Sequence, residues 1–411
     1  MSFSSQIDEL VNAEVIYVDV LDTNKLTANQ IAIAMPFAKE LILNHHQKEL
    51  LKEKAIIKIE LVYTQFKTSS MFNQKQLNEK RLLELKKHIP DVFEFPLWDF
   101  ELISQTQGNS REECTPMFHG FIITFRPNSS VNTLKEEAQY LQNFLATTLK
   151  NDSILKDSSS KKIMDIKTHY DKQWGYIHDT IWGLDTVPPP SPPNFFYNHS
   201  LYKDSTVLNA MNRNKNWDDF IVVTDVTGSM SPYIAQVFVW LKEQSENKQA
   251  KYFVFFNDGD DKPSKKKNPM ETKGIYVSPN TTLDSIMNVA SWCMERGSGG
   301  GEGLENDVEA IIEGLKYFPR AKEVVLVADN FESMRDYKFL DKIKTPVHVI
   351  ICGGEGRINI QYLDLAKRTK GSIHTKTQDI FNLDEVEKGE HIFINKKEYI
   401  FHDNKFHFIY N

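Results

Sequence analysis

The chain of 411 residues is 40% hydrophobic and 26% charged, which is enough apolar material for two or three packed domains and excludes a disordered scaffold. Its 49 Lys and Arg residues against 56 Asp and Glu residues give a formal net charge of -7, so we expect no nucleic-acid partner. No segment of the sequence approaches the roughly 20 consecutive apolar residues that a membrane span requires.

The cysteines and the first residues bear on the cellular compartment. Cys114, Cys293 and Cys352 are far apart in the sequence and odd in number, so we expect buried, reduced thiols rather than a disulfide framework or a metal site. The first residues, MSFSSQIDELVNAEV, have neither a basic n-region nor an apolar h-region. We therefore expect a cytoplasmic protein, and the alternative is an exported protein whose signal peptide is not part of this chain.

Residues 1–155 alternate strand-like and helix-like segments and form the first predicted domain. Alternating apolar residues predict strands, and leucines at helical spacing among charges predict helices. The predicted strands are 14–20, 55–66, 98–104 and 120–126, and the predicted helices are 75–88 and 132–149. This pattern favours an α+β domain with a largely antiparallel sheet.

A proline-containing connector is predicted over residues 156–215. Residues 151–170 are rich in Ser, Asp and Lys, and VPPPSPP at 187–193 favours an extended, polyproline-like path. Such a run acts as a spacer or, alternatively, as a docking motif.

Residues 216–380 show short apolar runs separated by helical segments. Strands are predicted at 220–224, 252–256, 274–277, 323–328, 347–352 and 372–375, and helices at 231–245, 283–295, 304–317, 336–343 and 360–369. This alternation is typical of an α/β domain with a doubly wound, Rossmann-like, mostly parallel sheet. Residues 381–411 differ, because short strands separated by NKK and HDNK predict a β-meander over 391–410, which we expect to pack on the α/β domain.

Polar residues follow several of the predicted strands of this α/β domain. Asp225, Thr227 and Ser229 alternate directly after one buried strand, and Asp329 follows a later one. A glycine-rich loop at 297–303 precedes one of the predicted helices. Because the carboxyl ends of parallel strands meet at one edge of a sheet, we expect these residues to lie close together.

The pattern Asp225-x-Thr227-x-Ser229 with the later Asp329 resembles the metal-ion-dependent adhesion site of von Willebrand factor A (VWA) domains, whose first loop reads D-x-S/T-x-S. The resemblance covers about residues 217–380. The strings TGSMSPY, FFNDGD, GGGEGLEN and VADN resemble an uncharacterised group of bacterial VWA-containing proteins. The resemblance implies a VWA fold for this part of the chain and a metal site on the four residues.

The middle ligand of the site departs from the pattern of the family. VWA domains use a threonine in a glycine-containing loop, and the loop of this chain contains none. The loop resembles a bacterial variant in which an acidic residue follows several glycines. This implies Glu302 as the replacement ligand, with Ser298 as the alternative.

The oxygen chemistry of these side chains favours a divalent cation. Two carboxylates about 4 Å apart repel by about 4 kcal/mol at an effective dielectric near 20, and a bound cation removes that cost. Oxygen ligands without His or Cys favour Mg²⁺, then Mn²⁺ or Ca²⁺, over zinc. One coordination position left to water can accept an Asp or Glu carboxylate of a protein partner. We therefore expect a divalent-metal-dependent protein-binding module and not an enzyme.

The same motif allows three other interpretations. Thr227 or Ser229 could merely cap the following helix. Asp-x-Thr-Gly-Ser after a buried strand also resembles the Asp-Lys-Thr-Gly-Thr motif of Mg²⁺-dependent phosphatases of the haloacid-dehalogenase kind, with Asp225 as nucleophile and Asp329 as metal ligand, although Val226 replaces the lysine. An assembly protein with a degenerate site would not respond to cations.

Two further charged segments are predicted to be solvated. FNDGDD at 256–261 follows a strand at the same edge of the sheet, and a solvated turn is favoured there over a second cation site. The run Lys265, Lys266 and Lys267 predicts a solvated loop.

Overall fold

The structure is a computed structural model. It describes residues 6–36, 41–64, 66, 71–94, 97–126, 138–139, 141, 161–171, 175–184, 205–228, 230–243, 250–260, 262–263, 266–278, 282–297, 304–354 and 356–409. These residues divide into two compact units, one within 1–127 and 388–411 and the other within 128–300 and 304–387.

The first unit contains a mixed five-stranded sheet. Its strands are β1 (Val15–Val18), β2 (Gln30–Ala34), β3 (Ile56–Thr64), β4 (Asp99–Gln105) and β5 (Gly120–Phe125). Their order is β1-β4-β3-β5-β2. The first three strands in this order are parallel, whereas β5 is antiparallel to both β3 and β2. The prediction of a largely antiparallel sheet is therefore wrong, because the helical crossover between β3 and β4 returns the chain to the end of the sheet at which β3 began.

Helices cover one face of this sheet. The helices described in this unit are α1 (Gln6–Leu10), α2 (His45–Glu53), α3 (Gln74–His88), α4 (Pro90–Glu94) and α5 (Arg111–Cys114). Helix α3 begins after Asn73, whose side chain accepts a hydrogen bond from the backbone N–H of Gln76. Leu82 and Leu85 of α3 are buried in one core with Leu61 of β3. Most of the predicted helix 132–149 lies outside the described residues.

The predicted connector contains regular structure. Strand β6 (Lys161–Asp171) pairs antiparallel with β7 (Gly175–Leu184), and helix α6 (Thr206–Arg213) follows. Helix α6 contributes one apolar face to the core of the second unit, through Val207, Ala210 and Met211. The proline-rich segment 187–193 lies outside the described residues.

The second unit contains a seven-stranded sheet. The strands described from residue 220 to residue 387 are β8 (Phe220–Asp225), β9 (Ala250–Phe256), β10 (Ile275–Ser278), β11 (Leu304–Glu305), β12 (Glu323–Asp329), β13 (Ser333–Met334), β14 (Val347–Cys352), β15 (Ser372–His374) and β16 (Asp379–Ile380). The order in the large sheet is β10-β9-β8-β12-β14-β15-β16, and β11 pairs with β13 separately. The five inner strands are parallel, and both edge strands are antiparallel to their neighbours.

Helices lie on both faces of this sheet. After α6 they are α7 (Ser231–Glu243), α8 (Leu283–Arg296), α9 (Asp307–Tyr317) and α10 (Ile360–Thr369). Val222 of β8 belongs to a core cluster that also contains apolar residues of α6, α7 and α8. Gly314 of α9 packs on the opposite face, since a Cβ atom there would lie 3.1 Å from Ile221 Cδ1. The second unit is therefore of the mixed α/β class.

The chain ends in the predicted β-meander, whose three strands the structure confirms, although residues 388–411 group with residues 1–127 and not with the α/β domain. Its strands are β17 (His391–Ile394), β18 (Lys397–His402) and β19 (Lys405–Ile409). Both pairings are antiparallel. The two connecting turns have positive φ at both central residues, as two-residue hairpins require: Asn395, Lys396, Asp403 and Asn404.

The structure of the described residues agrees with two expectations from the sequence, which concern the cysteines and membrane-spanning segments. All three cysteines are buried and form no disulfide. Among the described helices, none combines the length and the apolar character needed to cross a bilayer.

Candidate functional site

Two of the predicted metal ligands end adjacent parallel strands. Asp225 is the last residue of β8, and Asp329 is the last residue of β12. These strands pair in parallel register, with Thr224 opposite Val327. From β8 the chain continues outward to β9 and β10, and from β12 it continues in the other direction to β14 and β15. The strand order therefore reverses between the two aspartates, where open α/β sheets bind ligands.

The same local turn holds both aspartates. Asp225 Oδ1 accepts a hydrogen bond of 2.8 Å from the backbone N–H of Thr227, and Asp329 Oδ1 accepts one of 2.9 Å from the backbone N–H of Phe331. In each carboxylate, one oxygen thus accepts the hydrogen bond that fixes the turn after its strand. The other oxygen of Asp225, Oδ2, is buried and has no hydrogen-bond partner.

Burial and neighbouring charge disfavour an ionised Asp225. Its side chain lies in a residue that is 1% exposed, and burial raises its pKa to about 8, with the charges of Asp329 and Glu332 acting in the same direction. Asp329 and Glu332 are themselves buried. Within the described residues, no side-chain cation is among the main causes of this shift, so the Asp225 carboxyl is mostly protonated at neutral pH.

The sequence analysis missed two acidic residues beside this pair. Glu305 ends the short strand β11 and Asp307 begins helix α9. Both are buried, and each has one carboxylate oxygen without a hydrogen-bond partner. Burial raises the pKa of both carboxyls well above the usual value, and the charge of Asp225 raises them further. The sequence signal was the string LEND directly before a helix, which we interpreted as part of the helix itself.

A tyrosine from helix α10 contacts this acidic group. The Tyr362 hydroxyl lies 3.1 Å from the backbone oxygen of Asp329 and 3.4 Å from Asp307 Oδ1. Burial raises the pKa of Tyr362 well above its usual value, as do the charges of Asp307 and Asp225. The hydroxyl therefore stays protonated and donates a hydrogen bond.

The structure brings together three of the residues predicted from the sequence. Asp225, Thr227 and Asp329 are all buried at this edge of the sheet, and we call them the Asp225 site. Ser229, Glu302 and the alternative ligand Ser298 lie outside the described residues. The described donors are oxygens, which suit a hard divalent cation. Within the described ranges, no three His, Cys, Asp or Glu side chains are placed so that they could hold a metal ion together.

The neighbouring acidic segment is not a solvated turn. Asp258 is buried, accepts a hydrogen bond of 2.8 Å from Lys267 Nζ and lies 3.0 Å from Arg335 Nη2. Its charge is therefore balanced by two side-chain cations, which leaves no demand for a second metal ion. Lys267 itself is buried, so the predicted solvated lysine loop is wrong at this position. The local sequence around a lysine that pairs with a carboxylate inside the protein does not differ from that of a lysine in an exposed loop.

Comparisons with known proteins identify no relative of the chain. No protein-family model, no curated protein and no solved structure matches it.

Proposed function

We propose that residues 216–380 form a VWA-type domain with a doubly wound sheet, and that the Asp225 site binds a divalent cation, Mg²⁺ in preference to Mn²⁺ or Ca²⁺. Asp225, Thr227 and Asp329 would hold the ion, together with Ser229 and Glu302 from the sequence motif. The bound ion would recognise an Asp or Glu carboxylate of a protein partner. The protein is then a metal-dependent binding module.

One observation carries this proposal. Asp225 Oδ2 is buried without a hydrogen-bond partner, and the charge of a second carboxylate, that of Asp329, acts on the same side chain. A buried carboxylate oxygen without a donor loses its hydration and gains nothing in return. A divalent cation supplies the missing positive charge. The strand order supports the same conclusion, because it places both aspartates where α/β sheets bind ligands.

The local turns explain why the aspartates suit a binding role. Their Oδ1 atoms are fixed by backbone N–H groups, so the geometry of both side chains is set before any ion arrives. Preorganisation of this kind reduces the free energy lost in ordering a site on binding. When bound, the ion supplies a Lewis-acidic position that an acidic group can occupy.

Calorimetric titration of Mg²⁺ and Mn²⁺ into the metal-free protein tests the proposal. We expect saturable binding to the unaltered protein and loss of binding in Asp225→Ala. Asp341→Ala is the matched control, because it removes an exposed carboxylate of the same unit that pairs with Arg368 at the surface. Thermal unfolding should show a stabilisation of about 2.7 kcal/mol at 100 times the dissociation constant.

Two outcomes would contradict this function. Binding that survives in Asp225→Ala would show that the ion lies elsewhere, and no binding to any of the proteins would leave the fold without a metal role. A phosphatase assay with Mg²⁺ in the same buffers should give no turnover, whereas turnover that Asp225→Ala abolishes would favour the phosphatase interpretation.

A further inference from the structure

Among the described residues of the first unit, Arg81 is buried and its charge has no anionic partner. Arg81 lies on helix α3 and is 1% exposed, yet its Nε and Nη1 atoms are buried without any hydrogen-bond partner. Buried arginines are normally paired, because removing a guanidinium from water costs free energy that only an acceptor can restore. Burial lowers the pKa of Arg81 to about 10, and within the part of the chain described only the Tyr63 phenol acts against that shift.

Three hydroxyl-bearing residues lie side by side on adjacent strands of the sheet, and we call them the row. Tyr17 of β1, Ser104 of β4 and Tyr63 of β3 are register partners across three parallel strands, so their side chains point to the same face of the sheet. That face carries the core shared with Leu82 and Leu85 of α3. Ser104 Oγ is also buried, and its polar contact is the phenol of Tyr63, which Asn78 of α3 contacts as well. The guanidinium, which has no hydrogen-bond partner, therefore lies beside buried hydroxyl groups between α3 and the strand ends.

The surroundings of Arg81 set the charge that a ligand needs. His119, just before β5, hydrogen-bonds to Thr64 Oγ1 through Nε2 and to the Met117 carbonyl oxygen through Nδ1. Burial lowers the pKa of His119, and the charge of Arg81 lowers it further, so the imidazole is neutral at pH 7. The guanidinium of Arg81 is therefore the one positive charge of these two groups, and a ligand with a single negative charge balances it.

The row of hydroxyl-bearing residues lies near the carboxyl ends of its strands. Ser104 and Tyr63 are near the carboxyl ends of parallel strands, the edge at which open sheets bind ligands. Tyr17, at the rim of the row, is 62% exposed. Tyr17 is therefore the exposed member of the row, whereas the guanidinium of Arg81 is buried.

We propose that Arg81, Ser104 and Tyr63, here called the Arg81 site, bind a carboxylate group of a small molecule. The guanidinium supplies charge-assisted hydrogen bonds in its fixed fork geometry, and the two hydroxyls are further donors to the carboxylate oxygens. This site belongs to the first unit and is independent of the metal proposed for the second.

Thermal unfolding of the full chain with sodium acetate or sodium succinate tests the site. Chloride keeps the ionic strength constant, and inorganic phosphate is the competing oxyanion. We expect saturable stabilisation by the carboxylates, and a dissociation constant raised about 10- to 100-fold in Arg81→Met, because charge-assisted hydrogen bonds are lost. Lys80→Met is the matched control, since it removes the same charge from the exposed neighbouring position of α3 and should leave the response unchanged.

The sign of the stability change separates a ligand site from a structural arginine. Without carboxylate, Arg81→Met should unfold at an equal or higher urea concentration than the unaltered protein, because an unpaired buried charge is removed. Ser104→Ala, a smaller change, should weaken acetate binding about tenfold while the protein stays folded.

Three results would overturn the proposal. The first is an Arg81→Met variant that is less stable yet keeps the carboxylate response. The second is a stronger Arg81-dependent response to phosphate than to acetate, which would reassign the ligand class. The third is no stabilisation of the unaltered protein by any carboxylate at constant ionic strength.

Discussion

Two buried aspartates of the second unit meet opposite electrostatic surroundings. Asp258 contacts Lys267 and Arg335, so its charge is compensated within the protein. Asp225 is surrounded by Asp329 and Glu332, and its Oδ2 has no donor. Burial is similar at both positions, and the difference lies in the sign of the neighbouring charges. The second environment is the one for which we propose a cation from solution.

The raised pKa of Asp225 predicts that metal binding releases a proton. At pH 7 a carboxyl with a pKa of about 8 is mostly protonated, and a cation must displace that proton. Mg²⁺ affinity should therefore fall up to about tenfold for each pH unit below 8. Titration heats at pH 7 should differ between Tris and PIPES buffers, which have different ionisation enthalpies, and the heats above pH 9 should agree between two buffers suited to that range. Equal heats at pH 7 would show that Asp225 is ionised before the metal binds.

The buried lysine is predicted to be essential for stability. Lys267→Met removes one of the two side-chain cations that pair with the buried Asp258. We expect the free energy of unfolding to fall by about 3 kcal/mol, because a buried charge loses part of its compensation. Urea unfolding of the metal-free protein measures the change. Lys266→Met, the same substitution at the adjacent exposed position, should alter stability by less than about 0.5 kcal/mol. Equal effects of the two variants would argue against the buried pair.

A chain of hydrogen bonds connects the last strands of the second sheet. His348 Nδ1 of β14 lies 2.6 Å from Ser372 Oγ, which lies 2.6 Å from His374 Nε2 of β15. His374 Nδ1 lies 2.8 Å from Asp379 of β16, and Arg213 of α6 binds both oxygens of that carboxylate. These bonds join helix α6 to the strands at this edge.

The Arg213 pair is predicted to weaken in acid. Burial alone would raise the pKa of Asp379, but the hydrogen bonds from Arg213 and His374 hold it well below its usual value. A depressed folded-state pKa contributes stability above about pH 4, and this contribution is lost as the pH falls through the folded-state pKa. Arg213→Met should thus lower the free energy of unfolding by about 1–2 kcal/mol at pH 7 and reduce its acid dependence below pH 4.

Urea unfolding at pH 7 and pH 3 measures that acid dependence. Arg368→Met is the control, because its partner Asp341 is 77% exposed and the pair should contribute little. An unchanged pH profile in Arg213→Met would mean that the bidentate contact does not stabilise the folded state.

At the scale of the molecule, both large sheets place their candidate chemistry at the carboxyl ends of parallel strands. The Asp225 site follows β8 and β12, and the Arg81 site lies near the ends of β3 and β4. Strand ends offer side chains from several strands at one edge without disturbing the core between the helices and the sheet.

The sequence predicted the α/β unit well because its signals are local. Apolar runs such as FIVVT and VHVIIC mark buried parallel strands, and their bounds agree with β8 and β14 to within a residue. The aspartates directly after strands were found by the same logic. The parallel pairing of β3 with β4 was missed, because strand direction depends on contacts between distant residues.

The buried charges were the hardest features to predict. Lys267, Glu305 and Arg81 each lie in polar sequence that is typical of exposed segments. Such burial depends on contacts outside the local sequence: Asp258, which pairs with Lys267, also pairs with Arg335, 77 residues further along the chain. Periodicity describes one element at a time, so it carries no record of such pairs.

The row of Tyr17, Ser104 and Tyr63 limits which kinds of mutation the first unit can tolerate during evolution. The three residues meet only because three separate strands keep the same register. Shifting any strand by a single position would turn its member of the row to the opposite face. Gain or loss of one codon within β1, β3 or β4 would therefore dismantle the row more completely than replacing any of its side chains. Drift in this unit should then be confined to substitutions, with length variation confined to the loops.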